Sequence, residues 1–306
     1  MLQTSFLRKL IKYKLYLLML SPAILYFVIF SYIPMAGIIV AFKRFDYMGG
    51  IFGSPWIGFE NFKFLFISGK IFEVARNTVL YNLVFLLVNT TLQIIVAIMI
   101  TEITGKYFKK ITQSVLFLPY FISWVVVGAF IYNIFNNEFG FMNTLLKTFN
   151  MESVNIYDKP LAWAAILVVF CLWKNLGYGS VLYIAAISGI EREMYEAAEI
   201  DGANIFQRIR FITIPAISQT IVILILLQIG SVFRGDFSMF YQIIGENSMV
   251  YNATDVIDTF VIRSLTTIRE FGMTSAAGLI QSVLCFVIIN IANYSVRKVD
   301  KDYALY

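Results

Sequence analysis

Polar and aromatic side chains occur inside apolar runs of this sequence that are long enough to cross a membrane. Amides can exchange hydrogen bonds with a polar solute, and aromatic rings can stack on its flat faces without preventing release. Lipid cannot satisfy buried polar groups, so we expect them to face other helices or a water-filled path. The candidates for lining such a path are Trp173, Lys174, Asn175, Tyr178, Asn89, Gln93 and Gln228.

Lys174 is the most informative of these candidates, because an ammonium group within a membrane is costly unless it is paired or hydrated. The sequence leaves two interpretations open. Lys174 lines a cavity and attracts an acidic solute, or it pairs structurally with a carbonyl group or an acid. Arg234 and Asp236, at the end of a later apolar run, are expected to form an interface pair or to contact a partner protein instead of the solute.

Residue types exclude several other kinds of site. The sequence contains no His, and both cysteines, Cys171 and Cys285, lie in apolar runs, so neither a metal site nor a disulfide scaffold is predicted. The phosphate-binding pattern Gly-x-x-x-x-Gly-Lys-Ser/Thr is missing from the sequence, since Tyr107 follows Gly105-Lys106. We predict no catalytic residue and no cofactor on this chain.

A polar segment, residues 187–214, separates two apolar runs, and its pattern predicts a helix, a turn and a second helix. Ser188-Gly189-Ile190-Glu191 has the form of a capping box that could start the first helix. Gly202 permits a sharp backbone turn, and Pro215 is expected to begin the next membrane crossing. Along the first helix Glu193, Glu196 and Glu199 form an acidic stripe beside a shallow apolar stripe of Met194, Ala197 and Ala198.

Composition identifies the class of protein that positions these residues. Hydrophobic residues make up 59% of the 306 and charged residues 14%, against roughly 45–50% and about 25% in ordinary soluble domains. We therefore predict an all-α, polytopic integral membrane protein in contact with lipid, forming a single transmembrane domain over residues 1–306. The six predicted spans are about 15–42, 77–100, 113–135, 161–186, 215–233 and 273–294.

The distribution of positive charge predicts the orientation of these spans. Lys and Arg are denser in the amino-terminal, second-to-third, fourth-to-fifth and carboxy-terminal segments than in the three longer intervals, which places both termini and segment 187–214 in the cytoplasm. The net charge of +5 is scattered among apolar runs and does not form a basic face with stacking aromatics, so no nucleic-acid partner is predicted.

The order Glu196-Ala197-Ala198, three residues, Gly202, nine residues and Ile212-Thr213-Ile214-Pro215 resembles the EAA loop of permease subunits of binding-protein-dependent ABC importers. Only Ile214 departs, since Leu is usual there. Further stretches resemble the LplB-like branch of these permeases, which handles polysaccharides and complex oligosaccharides. They are Tyr26–Met35, Phe52–Gly58, Leu118–Val126, Tyr195–Asn204 and Asp255–Thr259.

The resemblance implies a bacterial plasma-membrane protein that forms half of a carbohydrate pathway with a second permease subunit. Two cytoplasmic ATPase subunits that bind ATP and Mg would drive transport, and an extracytoplasmic solute-binding protein would deliver the sugar. The EAA-like loop would dock in a cleft of one ATPase. Glu196 would accept a charge-assisted contact, Ala197 and Ala198 would allow close approach, and Asp201, Gly202 and Pro215 complete the predicted coupling residues.

Two alternatives remain at this point. One is a secondary transporter driven by an ion gradient, which would need acids or His within the spans, where the sequence has almost none. The other keeps the ABC machinery but changes the cargo to amino acids, glycerol phosphate or a peptide.

Overall fold

The computed structural model describes residues 11–67 and 69–306, and the regular secondary structure of this part of the chain is helical. The all-α prediction is therefore confirmed. Among the described residues, five continuous helices are long and apolar enough to cross a membrane, namely Lys14–Phe42, Lys70–Thr101, Pro160–Ser188, Ile205–Ile229 and Phe271–Val299. A sixth candidate span is a bent pair of helices, Lys106–Phe121 and Trp124–Phe135, which meet at 90°.

The bend in the pair replaces the continuous third span that the apolar run from 113 to 135 suggested. Pro119 has no amide proton and cannot continue the helical ladder, and the helix tightens into a short 3₁₀ turn over Leu118–Phe121. Ile122 and Ser123 are extended. The Ser123 side chain then accepts a hydrogen bond from the amide of Val126 and caps the second helix.

Two other prolines are accommodated by a wider helical turn. A π-helical segment, Val28–Tyr32, precedes Pro34, and another, Ile209–Thr213, precedes Pro215. A proline ring clashes with the carbonyl four residues earlier, and a π turn widens the helix where that clash would occur. Both helices therefore continue through their prolines.

The chain divides into two compact units, and the first consists of residues up to Ile67 together with Ser264–Leu279. Within it, the first long helix is followed by the short helices Gly50–Gly53 and Glu60–Ile67. The connection is held by Lys43, whose buried ammonium group donates to the carbonyls of Ile51 and Phe52 at 3.0 and 2.8 Å. These bonds fix the polar interval that follows the first predicted span.

The second unit consists of residues 68–263 and 280–306, of which Ser68 lies outside the described residues. Helices Lys70–Thr101 and Pro160–Ser188 pack along one another, and their core includes Tyr81, Trp163 and Leu167. The shorter elements of this unit, outside the candidate spans, are Phe141–Thr148, Arg192–Ile200, Phe237–Ile244, Ser248–Val250, Tyr251–Thr254, Ile257–Arg263 and Lys301–Tyr303.

A buried polar network fixes the start of helix Ile257–Arg263 in the second unit. Asp255, which is 2% exposed, accepts hydrogen bonds from Arg263 and from the Thr259 hydroxyl group. Asp258 accepts from the amide of Gly235 at 2.6 Å and from Gln281 at 2.9 Å. Burial raises the pKa of the Asp258 carboxyl group above its ordinary value, and these hydrogen bonds act in the opposite direction.

Candidate functional site

The segment predicted to couple the protein to a motor begins with helix Arg192–Ile200. Glu196 and Ala197 are exposed on this helix, and Ala198 is half-buried. The predicted capping box at its start is wrong. Ser188 is instead the last residue of the preceding long helix, where its hydroxyl group donates to the Ile184 carbonyl at 2.7 Å. A helical serine can bond back in this way to a carbonyl four residues earlier.

The predicted turn at Gly202 is confirmed. Gly202 has φ +78°, a left-handed conformation that residues with a Cβ adopt at a cost. The amide of Ala203 donates to the Ala198 carbonyl at 2.9 Å and closes the end of the first helix. Asp201 is exposed beside the turn.

A capping box that the sequence analysis missed starts the second helix of the segment. Asn204 accepts from the amide of Gln207 at 3.0 Å, and the Gln207 side chain accepts from the amide of Asn204 at 2.7 Å. The signal was present in the sequence as Asn-x-x-Gln directly after the glycine turn. The two residues fix the direction in which the chain leaves the turn.

The second helix does not end before the next predicted span. It runs without a break from Ile205 to Ile229, and Pro215, which is exposed, lies within it. Pro215 therefore does not begin a new helix, because the π segment Ile209–Thr213 absorbs the disruption that proline causes. That the membrane crossing begins at Pro215 stays a prediction. One arm of the loop and the membrane helix are a single element.

Two side-chain contacts join the arms of the loop. The hydroxyl groups of Tyr195 and Thr213 lie 2.9 Å apart in a hydrogen bond, and Arg208 Nη1 lies 3.9 Å from Glu199 Oε2. A cavity of about 400 Å³ adjoins these contacts and is also lined by Glu196. We define this part of the chain, residues 187–214, as the coupling loop. Its arms are joined at two points, which limits their independent motion.

Most residues of the predicted carbohydrate path meet in a second cavity, of about 310 Å³. It lies among helices Lys70–Thr101, Pro160–Ser188 and Ile205–Ile229, and Ser231 follows the last of these. We call it the amide cavity. Five predicted residues line it, namely Asn89, Gln93, Asn175, Tyr178 and Gln228, and sequence reasoning did not select its other lining residues Asn82, Phe85, Leu86, Gly179, Leu182, Tyr183, Leu224 and Ser231.

Hydrogen bonds hold some of the amides of this cavity in place. Gln93 Nε2 donates to the Asn175 carbonyl at 3.2 Å, and Asn82 Nδ2 donates to the carbonyls of Val232 and Arg234 at 3.0 and 2.9 Å. Gln93 fits because residue 179 is glycine, since a Cβ there would lie 2.1 Å from the Gln93 amide carbon. The Oδ1 atom of buried Asn89 has no hydrogen-bond partner among the described residues.

Tyr178 presents part of its ring to the cavity and packs the rest against neighbouring aromatics. Its ring is stacked on Tyr120 with centroids 4.2 Å apart and planes 7° apart, and Phe117 lies 6.0 Å away. The aromatic group expected to face a sugar is therefore held rigidly by a stacked partner.

Lys174 lies on the same helix but does not line the amide cavity. Its ammonium group is buried and donates to the main-chain carbonyls of Pro119, Tyr120 and Ile122 at the bend of the broken pair, with the Tyr120 contact at 2.6 Å. These carbonyls lie where the helical ladder is interrupted. Of the two interpretations left open by the sequence, this geometry corresponds to pairing with carbonyl groups.

Three further residues singled out in the sequence also lie outside the lining of the amide cavity, namely Trp173, Arg234 and Asp236. Trp173 is exposed, and its ring packs edge-on against Phe170 at 6.1 Å. Asp236 caps helix Phe237–Ile244 and accepts from Trp124 Nε1 at 2.9 Å. Its carboxylate thus ties two elements of the second unit, a contact that the sequence could not indicate because 112 residues separate the partners.

Known proteins are similar to this chain over most of its length. Protein LplB of Bacillus subtilis is 33% identical over 285 residues, which cover 93% of this chain and 89% of the relative. The polygalacturonan/rhamnogalacturonan transport system permease protein YteP of the same organism is 29% identical over 294 residues, 96% and 91% of the two chains.

A solved structure of a bacterial alginate ABC transporter, in complex with an alginate pentasaccharide-bound periplasmic protein, is also similar. Its matching chain has a TM-score of 0.86 and 30% identity, with 96% of this chain and 98% of that chain covered. The family model for inner membrane components of binding-protein-dependent transport systems matches residues 93–301. The chain is a multi-pass membrane protein and belongs to this family of transport components.

Proposed function

We propose that this chain is a permease subunit of an ATP-driven ABC importer and forms half of the path for an oligosaccharide or another carbohydrate. The observation that carries the proposal is a direct connection between the coupling loop and the amide cavity. Helices Pro160–Ser188 and Ile205–Ile229 both line the cavity, and the coupling loop joins the end of the first to the second. Force applied to the coupling loop therefore reaches the walls of the cavity through rigid helices.

The coupling loop is proposed to dock in a cleft of one cytoplasmic ATPase subunit. Exposed Glu196 would accept a charge-assisted contact, while Ala197 and Ala198 allow the partner to approach closely. Asp201 lies beside the turn, Gly202 sets the angle between the arms, and Pro215 lies where the second arm continues into the membrane helix. ATP and Mg would bind to the two ATPase subunits, which supply the free energy for alternating access.

The remaining partners and the topology belong to the same proposal. A second permease subunit would complete the path, and an extracytoplasmic solute-binding protein would deliver the sugar. Both termini and the coupling loop would lie in the cytoplasm, as the positive-charge asymmetry predicts. Residues 1–10, which contribute Arg8 and Lys9 to that asymmetry, lie outside the described residues. The whole chain would act as one permease domain.

The proposed cargo is carbohydrate because amides and two tyrosines line the cavity, a set suited to hydroxyl groups and pyranose faces. The predicted residues Asn89, Gln93, Asn175, Tyr178 and Gln228 would contact the solute there. Trp173 and Lys174 were also predicted for the path, and their positions favour a supporting role at its margin.

Energy dependence of uptake tests this function. The complex would be purified with its partner subunits, reconstituted in proteoliposomes, and supplied with the solute-binding protein loaded with labelled oligosaccharide. We expect uptake with internal ATP, no uptake with a non-hydrolysable analogue, and no effect of a protonophore. Uptake that persists without ATP and collapses with the proton gradient would instead establish an ion-coupled transporter. ATP-dependent uptake of amino acids, glycerol phosphate or peptide, with none of sugar, would establish the other alternative.

A further inference from the structure

The amide cavity is polar, but among the described residues its lining carries no Asp, Glu, Lys or Arg side chain. Five of its polar side chains are amides, one is a serine hydroxyl group and two are tyrosine hydroxyl groups. They are Asn82, Asn89, Gln93, Asn175, Gln228, Ser231, Tyr178 and Tyr183. The lining therefore offers hydrogen bonds from amide and hydroxyl groups, with no carboxylate, ammonium or guanidinium group beside them.

Lys174 is next to the cavity residue Asn175 in the sequence, but its ammonium group is bound outside the cavity. Its ammonium group donates to the carbonyls of Pro119, Tyr120 and Ile122. It also lies 5.5 and 5.3 Å from the ring centroids of Tyr120 and Trp124. These contacts occupy its three protons, so Lys174 is not free to neutralise an anionic group in the cavity.

The chemistry of the lining distinguishes between two classes of sugar. Amide groups both donate and accept hydrogen bonds and therefore match hydroxyl groups, which do the same. An oligosaccharide of uronates carries one carboxylate on each sugar unit. A carboxylate that loses water in a confined site needs an opposite charge or several hydrogen-bond donors directed at it. Gln93 and Asn82 already direct amide protons to main-chain carbonyls, which leaves fewer donors for an anion.

We infer that the amide cavity selects uncharged glycosyl units and disfavours acidic sugars such as uronates. The inference rests on the proposed function and names the charge class of the cargo for that same site.

Uptake of matched neutral and acidic oligosaccharides tests the inference on the intact importer. The probes are tetrasaccharides of glucose, galactose, mannose and xylose against those of galacturonate and mannuronate. The fraction of solute-binding protein loaded with each probe is measured separately, and uptake is expressed per loaded binding protein. We expect at least one neutral probe to enter about tenfold faster than either acidic probe. Equal or faster uptake of an acidic probe would overturn the inference and leave the proposed carbohydrate function intact.

A charge placed in the lining separates the role of this cavity from that of the binding protein. Gln228→Lys adds a cation to the lining, and Gln219→Lys makes the same change on the same helix outside it, where a lysine can still donate to the Asp302 carbonyl. We expect Gln228→Lys alone to raise acidic over neutral uptake several-fold. An unchanged ratio in a variant that retains stimulated ATPase activity contradicts the inference. Failure of every carbohydrate probe to enter in the unaltered importer would instead overturn the proposed function.

Discussion

Among single residues, Lys174 and the broken helix each provide the hydrogen-bond partners that the other lacks. A buried ammonium group requires partners within a membrane, and main-chain carbonyls released by a helix break require donors there. Lys174 supplies donors to the carbonyls of Pro119, Tyr120 and Ile122. Of the two interpretations that the sequence left open for Lys174, these contacts support the structural one, in which the lysine holds the bend together.

Replacing Lys174 by methionine should destabilise the protein, because carbonyls at the bend lose their donor while the length of the side chain is kept. The expected loss is about 2 kcal/mol, measured as reduced thermal stability of the purified complex in detergent. Lys147→Met is the matched control, since Lys147 is exposed on helix Phe141–Thr148. If the Lys174 variant kept its stability but took up an acidic sugar more weakly, Lys174 would be a solute ligand and not a structural contact.

Charge reversal at Glu196 should uncouple transport from ATP hydrolysis. This residue is exposed on helix Arg192–Ile200, so Glu196→Lys should not disturb folding, but it replaces an acceptor by a like charge for any basic partner. We expect ATPase activity to lose its stimulation by the loaded binding protein and uptake to fall at least about tenfold, the equivalent of about 1.4 kcal/mol. Both are measured on reconstituted complex.

The control for this substitution is Glu246→Lys, a reversal at another exposed glutamate outside the coupling loop. Normal stimulation and uptake in the Glu196 variant, or equal losses in both variants, would contradict the coupling role.

Among the elements, the coupling loop has two arms that are joined, and its proposed transmission of force depends on this. The turn at Gly202, the capping box of Asn204 and Gln207, and the contact between Tyr195 and Thr213 hold one geometry. A loop without these contacts would absorb a displacement, whereas joined arms transmit it to helix Ile205–Ile229.

Changing the glycine at the turn should therefore weaken coupling more than it weakens the fold. Gly202→Ala forces a Cβ into a left-handed conformation at a cost of about 1–2 kcal/mol, although nothing lies within 4 Å of the added atom. We expect fewer solutes transported per ATP hydrolysed, with the complex still assembled. Gly189→Ala is the matched control, because Gly189 has an ordinary right-handed backbone with φ −81°. An unaltered transport ratio in the Gly202 variant would show that the turn angle does not matter.

At the scale of the whole molecule, the proposed topology places the coupling loop and the first long interval on opposite sides of the membrane. Ile200 in the coupling loop is 87% exposed, and Met48 in the interval is 96% exposed. Both native cysteines are buried, so they provide little background for thiol labelling.

Single cysteine variants should report this topology in intact cells. We expect an impermeant maleimide to label Met48→Cys from outside, and to label Ile200→Cys only after the membrane is opened. Labelling is detected on the purified protein, and the unaltered protein measures the background. The reverse pattern would invert the topology and remove the coupling loop from the side that ATPase subunits occupy.

Sequence and structure agree best where the signal is local or compositional. Gly202 was predictable because only glycine adopts φ +78° without cost. The role of Ser188 was misread, and the continuity of the helix through Pro215 was not predicted. Both depend on competing structures, a bond back to the Ile184 carbonyl at Ser188 and a π turn before Pro215. Trp173 was grouped with Asn175 by proximity in sequence, but a helix directs neighbouring residues to different faces.

The class of the protein, an all-α chain with long apolar helices, follows from the sequence alone, because hydrophobicity and helical period are local properties. The polar segment 187–214 and its glycine turn follow from the sequence as well. The tertiary structure was needed to show which polar residues share a cavity and that Lys174 bonds to the carbonyls of a helix break. Those contacts join residues more than fifty positions apart in the chain, and packing of separate helices, which no local pattern encodes, brings them together.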